Sequence, residues 1–566
     1  MRKLYPFIIP LLVLIALSAE NLTAQEEIID KRKLYKEEID DPYIPRDKKE
    51  IQTSPPYRFS GSGIFTIQVN TDEDGDNILG DAANEPSIAV DPNNPNRMVI
   101  GWRQFDDVSS NFRQAGYAYT EDGGLTWTSP DPIDMGVFRS DPVIEVDNNG
   151  VFHYNSLTKN DQGDYWCDVF RTPSDGFTWD EGVFAQGGDK QWMVIDNSGG
   201  IGDGNIYAFW NRSFSICAPG SYTRSTDGGD SYEECDGVMG DPIWGTNTIG
   251  PDGELYTVGE ASNTSFVVTK SSNAQDPDAT TSWDFRTYVD LGGEMTGWQP
   301  VNPSGLMGQA WIDCDRSNGL SRGYVYVLGS LDMDNGDPAD VMFARSTDGA
   351  ENWDDPVRVN DDPYSNNWQW FGTMSVAPNG RIDAVWLDTR DAPGTNDFMS
   401  ELYYSYSIDN GETWSVNQRL SEQFHPHLGW PNQNKMGDYF DMVSFNEGAH
   451  LAWANTINGE QDVYYSFIDP WFVGIDDQEE KSDISFINYP NPVVNETTLR
   501  FTLAEKSKVT IELIDNYGNI TNVINSKSYD IGPHIHVLDV TGMSSGIYFC
   551  RISTETGSET IKITLL

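Results

Sequence analysis

Positive charge is what this 566-residue chain has least of: 36 Lys and Arg stand against 88 Asp and Glu, for a net charge of −52. That deficit excludes binding to a nucleic-acid backbone, whose affinity comes from cation–phosphate contacts. It also makes a polyanionic partner awkward without a local basic patch. Histidine, the one side chain whose ordinary pKa lies near neutral pH, is scarce (6). Five cysteines are too few for a disulfide scaffold, and the odd count leaves at least one thiol unpaired in a monomer. Cys217 and Cys235 flank one turn region and are the pair that can join. Long apolar runs are missing after the first twenty residues, which excludes a later membrane-spanning helix.

The single apolar run belongs to MRKLYPFIIPLLVLIALSAENLTAQ, two cations followed by an apolar core and small residues. It reads as a secretory signal peptide, 1–24, cut after Ala24. A lead-in over 25–60, dense in both charges, lacks apolar periodicity and reads as extended or disordered.

Aromatic residues are plentiful: 18 Trp and 26 Tyr. Many fall in short alternating strands that end in a recurring turn. YYSYSIDNGETWS (403–415) is one copy, in which Ser407-x-Asp409-x-Gly411-x-Thr413-Trp414 closes the strand. Further copies are centred on Asp122 and Asp227, with weaker ones at 172–179 and around Asp348 at 346–353, and an expanded relic at 271–283. The chemistry is that of folding. Asp accepts backbone N–H groups inside a tight loop, Gly takes the positive φ that closes it, and Trp starts the return strand and packs across the hairpin. A second repeat interleaves with the first. Seven strand–turn–strand units recur at a period near 50 residues, at 86–103, 141–157, 191–211, 246–260, 308–330, 373–391 and 441–455. Four-stranded blades of an all-β propeller follow, with seven blades favoured and six the alternative, over 61–472. GIFTIQV (63–69) is placed to join the last blade and close the ring.

These boxes resemble the Asp-box (BNR) repeat of the sialidase superfamily. The resemblance implies boxes on the face away from the active site, a six-bladed ring, three arginines clamping a substrate carboxylate, a tyrosine nucleophile and an acid/base aspartate. That superfamily's N-terminal Phe/Tyr-Arg-Ile-Pro signature has its nearest counterpart in PYRFSG (56–61), which lacks Ile-Pro. After a linker at 473–484, residues 485–566 alternate as a small β-sandwich. Asn488-Tyr-Pro-Asn-Pro492, Asp515-x-x-Gly518, Leu538-Asp539 and Gly546-Ile-Tyr548-Phe within it resemble the C-terminal sorting domain of the type IX secretion system. This implies a Bacteroidetes-type bacterium, contact with that secretion machinery, and release or attachment at the outer surface.

In a propeller the starts of first strands and the ends of second strands share one face. That geometry nominates Glu85, Asp141, Asp189, Lys190, Asp241 and Asp438 with Trp192, Trp370 and Tyr439, and Arg103, Arg212 and Arg390. A glycosidase would use Arg103, Arg212 and Arg390 on substrate, with Asp141 as the acid, Tyr439 beside Asp438 and Asp441 as the nucleophile region, and Trp192 and Trp370 as stacking surfaces. Asp388 and Arg390 in LDTRD also read as a turn-stabilising pair. A polysaccharide lyase would draw its base from His425 or His427. A surface or adhesion propeller would use the same face without catalysis. All three readings place an extracellular glycan or glycoprotein as partner. No cofactor is required. Calcium is the one ion suggested, at Asp72, Asp74 and Asp76 in NTDEDGDN (70–77).

Overall fold

A computed structural model describes residues 40–46, 51–471 and 484–565, apart from short gaps at 175, 262–264, 334–335, 364–365, 395–396, 490, 492, 494, 504–505, 516–519 and 555–556. The expected leader and most of the linker lie outside the described residues.

Each of the seven repeats folds as the first hairpin of an antiparallel sheet. The inner strands are Ala82–Val90, Ser140–Val146, Trp192–Ile195, Asn247–Ile249, Trp311–Cys314, Gln369–Val376 and Asp441–Ser444. Each is followed outward by its second and third strands in sequence order. Every inner strand packs on the next one round, and the seventh packs on the first, so the described residues form seven blades that close a ring. Closure depends on sequence-distant pairing. In blade 7 the outer position is taken by Ile64–Gln68, antiparallel to Asp462–Ile468 from Ile64↔Ile468 to Gln68↔Tyr464. Arg58–Gly61 adds a fifth strand there. Of the lead-in, residues 40–46 run along blade 1, where Arg46 donates to the carbonyls of Asp106 and Leu79 and Tyr43 meets Phe112.

The boxes share one geometry. In blade 6, Ser407 Oγ donates to Asp409 Oδ1 (2.8 Å) and accepts Gly411 N–H (2.9 Å), while Asp409 Oδ1 accepts Thr413 N–H (2.9 Å). Thr120/Asp122, Ser225/Asp227 and Ser346/Asp348 repeat these bonds. In the expanded copy Asn273 takes the aspartate's place, accepting from Ser271 Oγ and from Ser282 N–H. Trp179 packs within its own blade, on Tyr154, as well as on Tyr117 of blade 1, whereas three other box tryptophans correct the hairpin expectation by crossing to the preceding blade. Trp127 packs on Tyr465, Trp283 on Tyr222 and Trp414 on Phe343, each at 5.2–5.3 Å between ring centroids. A box therefore ends one blade and fastens it to its neighbour. Cys217 and Cys235 are disulfide-bonded, and Cys167, Cys314 and Cys550 are buried thiols.

Residues beyond 484 form a sandwich of two sheets. One comprises Ile484–Tyr489, Glu496–Leu503 and Gly532–Asp539, and the other is four-stranded. Their facing sides bury Leu499, Phe501, Val509, Ile511 and Cys550.

Candidate functional site

One backbone device recurs at the axis. Just ahead of or at the start of every inner strand stands a residue with positive φ: Glu85 (50°), Asp141 (47°), Lys190 (56°), Trp244 (56°), Gly308 (133°), Phe371 (57°) and Gly437 (100°). In blades 1, 2 and 6 the strand register shifts across it, as a β-bulge does. Five of the seven are not glycine, so the ring holds strained left-handed residues where the blades converge. In blades 1 to 3 these residues are charged, and they build a single cluster.

Lys190 Nζ lies 2.6 Å from Asp438, 3.2 Å from Asp141 and 3.8 Å from Asp189. Lys435 Nζ lies 2.7 Å from the same Asp438 and 3.1 Å from Glu85, whose other oxygen is 3.2 Å from Arg103 Nε. None of these seven side chains belongs to a residue more than 4% exposed. Burial opposes charge on every one, and pairing decides the outcome. For Asp141 and Asp438 the nearby Lys190, Lys435 and Arg103 outweigh burial and hold both carboxyls well below the usual range. For Glu85 burial wins over Arg103 and Lys435, and its carboxyl is pushed up to about 7.

The cluster is roofed by an insertion between blades 4 and 5, a hairpin of Gly297–Gln299 and Asn302–Leu306. Leu306 N–H donates to Asp438 Oδ1 (2.8 Å). Asn302 donates to Gly437 O and accepts from Met436 N–H. His427 Nε2 lies 3.1 Å from Val301 O, packed between His425 and Trp430. Beneath, Tyr439 donates its hydroxyl to Pro142 O (2.8 Å), and Trp192 packs edge-on against both Tyr439 and Trp311. Trp370 is buried, with its indole N–H toward Ser400.

The structure thus brings Asp141, Asp438 and Arg103 together and sets Tyr439 and Trp192 below them. The other two arginines have separate partners. Arg212 pairs with Asp241 at 2.9 Å and is 39% exposed. Arg390 pairs with Asp388 and Asp361, both at 2.8 Å, and lies over the Tyr403 ring beside a cavity of about 350 Å³. Lys435 and the axial hairpin escaped sequence reasoning. The long stretch between blades 4 and 5, where no strand was assigned, was the one available signal. At 70–77, Asp72 Oδ1 accepts the N–H groups of Asp74 and Asp76 in a turn. No group of three or more His, Cys, Asp or Glu placed to hold a metal occurs among the described residues.

The two-sheet sandwich, with the Asn-Tyr-Pro-Asn-Pro entry to its first strands, matches a known family over 488–565. These residues are a secretion system C-terminal sorting domain. The sorting domain directs the chain through the type IX route, to the cell surface or the medium. No helix among the described residues is long and apolar enough to cross a membrane. No curated protein matches the chain by sequence. Among solved structures it is similar to a protein of unknown function from Dyadobacter fermentans, at 14% identity and TM-score 0.39, over 72% of this chain and 99% of that one. It is also similar to the phage phi92 endosialidase, at 10% identity and TM-score 0.40, over 88% and 79% of the two chains. Trypanosoma rangeli sialidase gives 9% identity and TM-score 0.35 over 90% and 89%. At these identities and scores no activity passes from those proteins to this chain.

Proposed function

We propose that the chain acts outside the cell as a non-catalytic propeller that engages an extracellular glycan or glycoprotein through its axial face. One observation carries this reading: the axial charges are buried and paired with one another under the 297–306 hairpin. A glycosidase needs a carboxyl that reaches the glycosidic oxygen and a nucleophile free to attack. Here Asp438 is held by two lysines and a backbone N–H, and the Tyr439 hydroxyl is spent on Pro142 O. The groups turned to solvent are different ones. Trp298, on the axial hairpin, is 38% exposed and braced edge-on by Trp244, three residues beyond Asp241, the partner of Arg212. An exposed indole offers a sugar a stacking surface, and a half-exposed guanidinium–carboxylate pair offers hydrogen bonds to its hydroxyls. Hydrolysis is the second reading, and it draws on the Glu85 carboxyl near 7, a value suited to a general acid.

The test is the full chain on a glycan array, run in parallel with chromogenic glycosides including sialosides and with uronate polysaccharides, with calcium and with chelator. Capture without turnover is expected, weakened at least about tenfold by Trp298→Ala and unchanged by Arg390→Ala. Sugar release, or absorbance from unsaturated uronate, would overturn the non-catalytic reading. Capture indifferent to Trp298→Ala would move the binding surface elsewhere, and no capture at all would end the glycan proposal.

A further inference from the structure

On the box face, in three boxes the carbonyl that follows the aspartate, or the Asn273 that replaces it, accepts a hydrogen bond from an arginine of the preceding blade, and in a fourth a lysine stands close by. Arg171 of blade 2 donates to Gly228 O at 3.1 Å, Arg224 of blade 3 to Ala274 O at 2.6 Å, and Arg345 of blade 5 to Asn410 O at 3.1 Å. Lys270 of blade 4 stands beside Gly349, its Nζ 3.4 Å from where a Cβ would lie. All four cations occupy one register position on the third strand, opposite His153, Tyr207, Tyr326 and Tyr256 respectively. In blade 7 that position, opposite His450, is Phe467. His450 cannot substitute as a cation, because burial and then the Arg500 charge lower its pKa to about 3.

The box of blade 1 is nonetheless answered. Arg500, on Glu496–Leu503 of the sorting domain, donates to Gly123 O at 3.1 Å and to Asn96 Oδ1 at 2.5 Å, and is 6% exposed. Gly123 follows Asp122 as Gly228 follows Asp227. We propose that the seam between blades 7 and 1 is a docking surface for this chain's own sorting domain, with Arg500 supplying the inter-blade cation that blade 7 lacks. Among the described residues, the seam is the one junction whose third strand carries an aromatic residue at this register position while the next blade carries a box of full geometry. An acceptor shaped for a guanidinium is thereby left for a group from outside the ring. Arg58, on the outermost strand of blade 7, adds its charge near Asp122, and no bond from it to the Gly123 carbonyl is seen among the described residues.

Hydrogen exchange and small-angle scattering on the full chain test this. Arg500→Gln should speed exchange at Gly124, Leu125 and Thr126 by roughly tenfold, the scale of one charge-assisted bond, and enlarge the radius of gyration as the domain undocks. Boxes at 227–231 and 409–413 should not respond, whereas Arg345→Gln should speed exchange at 411–413 alone. Adding Phe467→Arg to Arg500→Gln should restore protection at 124–126 while the radius stays enlarged, which separates the cation's role from docking. Asn96→Lys places a like charge opposite Arg500 from the propeller side and should undock a sorting domain that is itself unaltered. Unchanged exchange and radius in both Arg500→Gln and Asn96→Lys would overturn the proposal, as would protection that Phe467→Arg fails to restore.

Discussion

At the scale of residues, a box glycine answers two demands that its sequence position states only in part. Gly411 has φ of +80°, and a Cβ there would come within 2.2 Å of the Phe343 ring on the preceding blade. Gly229 has φ of +87°, but its nearest atoms stand 3.3 Å or more away, because the third strand before it carries Val169 where blade 5 carries Phe343. Blade 5 shows the compensation accomplished, with Ala350 at φ 73° in the same core cluster as Val268. Gly229→Ala should therefore cost about 1 kcal/mol, the left-handed penalty alone. Gly411→Ala should cost about 3 kcal/mol or more, since overpacking adds to it. Chemical denaturation of the two variants checks the difference, and equal costs would show that the aromatic neighbour yields. The box aspartates carry a pH signature as well. Against partial burial, hydrogen bonds from Ser and Thr or Asn hold Asp227, Asp348 and Asp409 below the ordinary carboxylate value. A depressed folded pKa means stability that is present above about pH 4 and is lost as pH falls further. The triple variant to Asn should lose less stability between pH 4 and pH 2 than the parent, measured by thermal melts.

Elements were legible where their causes are local. Strand alternation, Asx-type turns and the 50-residue period placed all seven first hairpins, because each reads out contacts within about twenty residues. The axial cluster was half legible for the same reason. Strand ends nominate Glu85, Asp141, Lys190 and Asp438, but nothing local says that Lys435 meets Glu85, 350 residues away. Charge imbalance explains the arginines: where 88 acids surround 36 cations, a given guanidinium finds a carboxylate close by, as Arg390 and Arg212 do. The cluster should then behave as structure. Removing one cation leaves buried carboxylates exposed to one another, so Lys435→Met should destabilise by about 3 kcal/mol. Arg390→Met, at the rim of an open cavity that lets water reach the stranded Asp388, should cost less, about 2 kcal/mol. Denaturant midpoints decide the matter, and a Lys435→Met no costlier than Arg390→Met would mean that the axial face is held by its hairpin rather than by its charges.

At the scale of the molecule, a ring with so many buried acids has a preferred pH. Burial pushes Glu85, Asp441 and Asp462 each up to about 7, the first against Arg103 and Lys435 and the second against bonds from Ser87, Ile88 and Met442. A carboxyl whose folded pKa lies above its unfolded value binds its proton more tightly in the native state. It adds stability that is complete below about pH 4 and is lost as pH rises toward 7. The propeller should therefore melt at a higher temperature at pH 5 than at pH 8, opposite to a fold held by depressed carboxylates. Asp441 allows the cause to be isolated, since it joins blade 7 to blade 1 by accepting Ser87 Oγ (2.7 Å) and Ile88 N–H (3.0 Å). Asp441→Asn carries no titration and loses one of the three bonds, so it should be less stable than the parent at pH 5 by about 1–2 kcal/mol. Its deficit should shrink as pH rises to 8, where the parent must bury the charge. Melting curves at half-unit steps from pH 5 to 8 measure both slopes. Parallel slopes would mean that Asp441 stays protonated or stays ionised throughout, and that the ring's pH preference comes from elsewhere in the buried network.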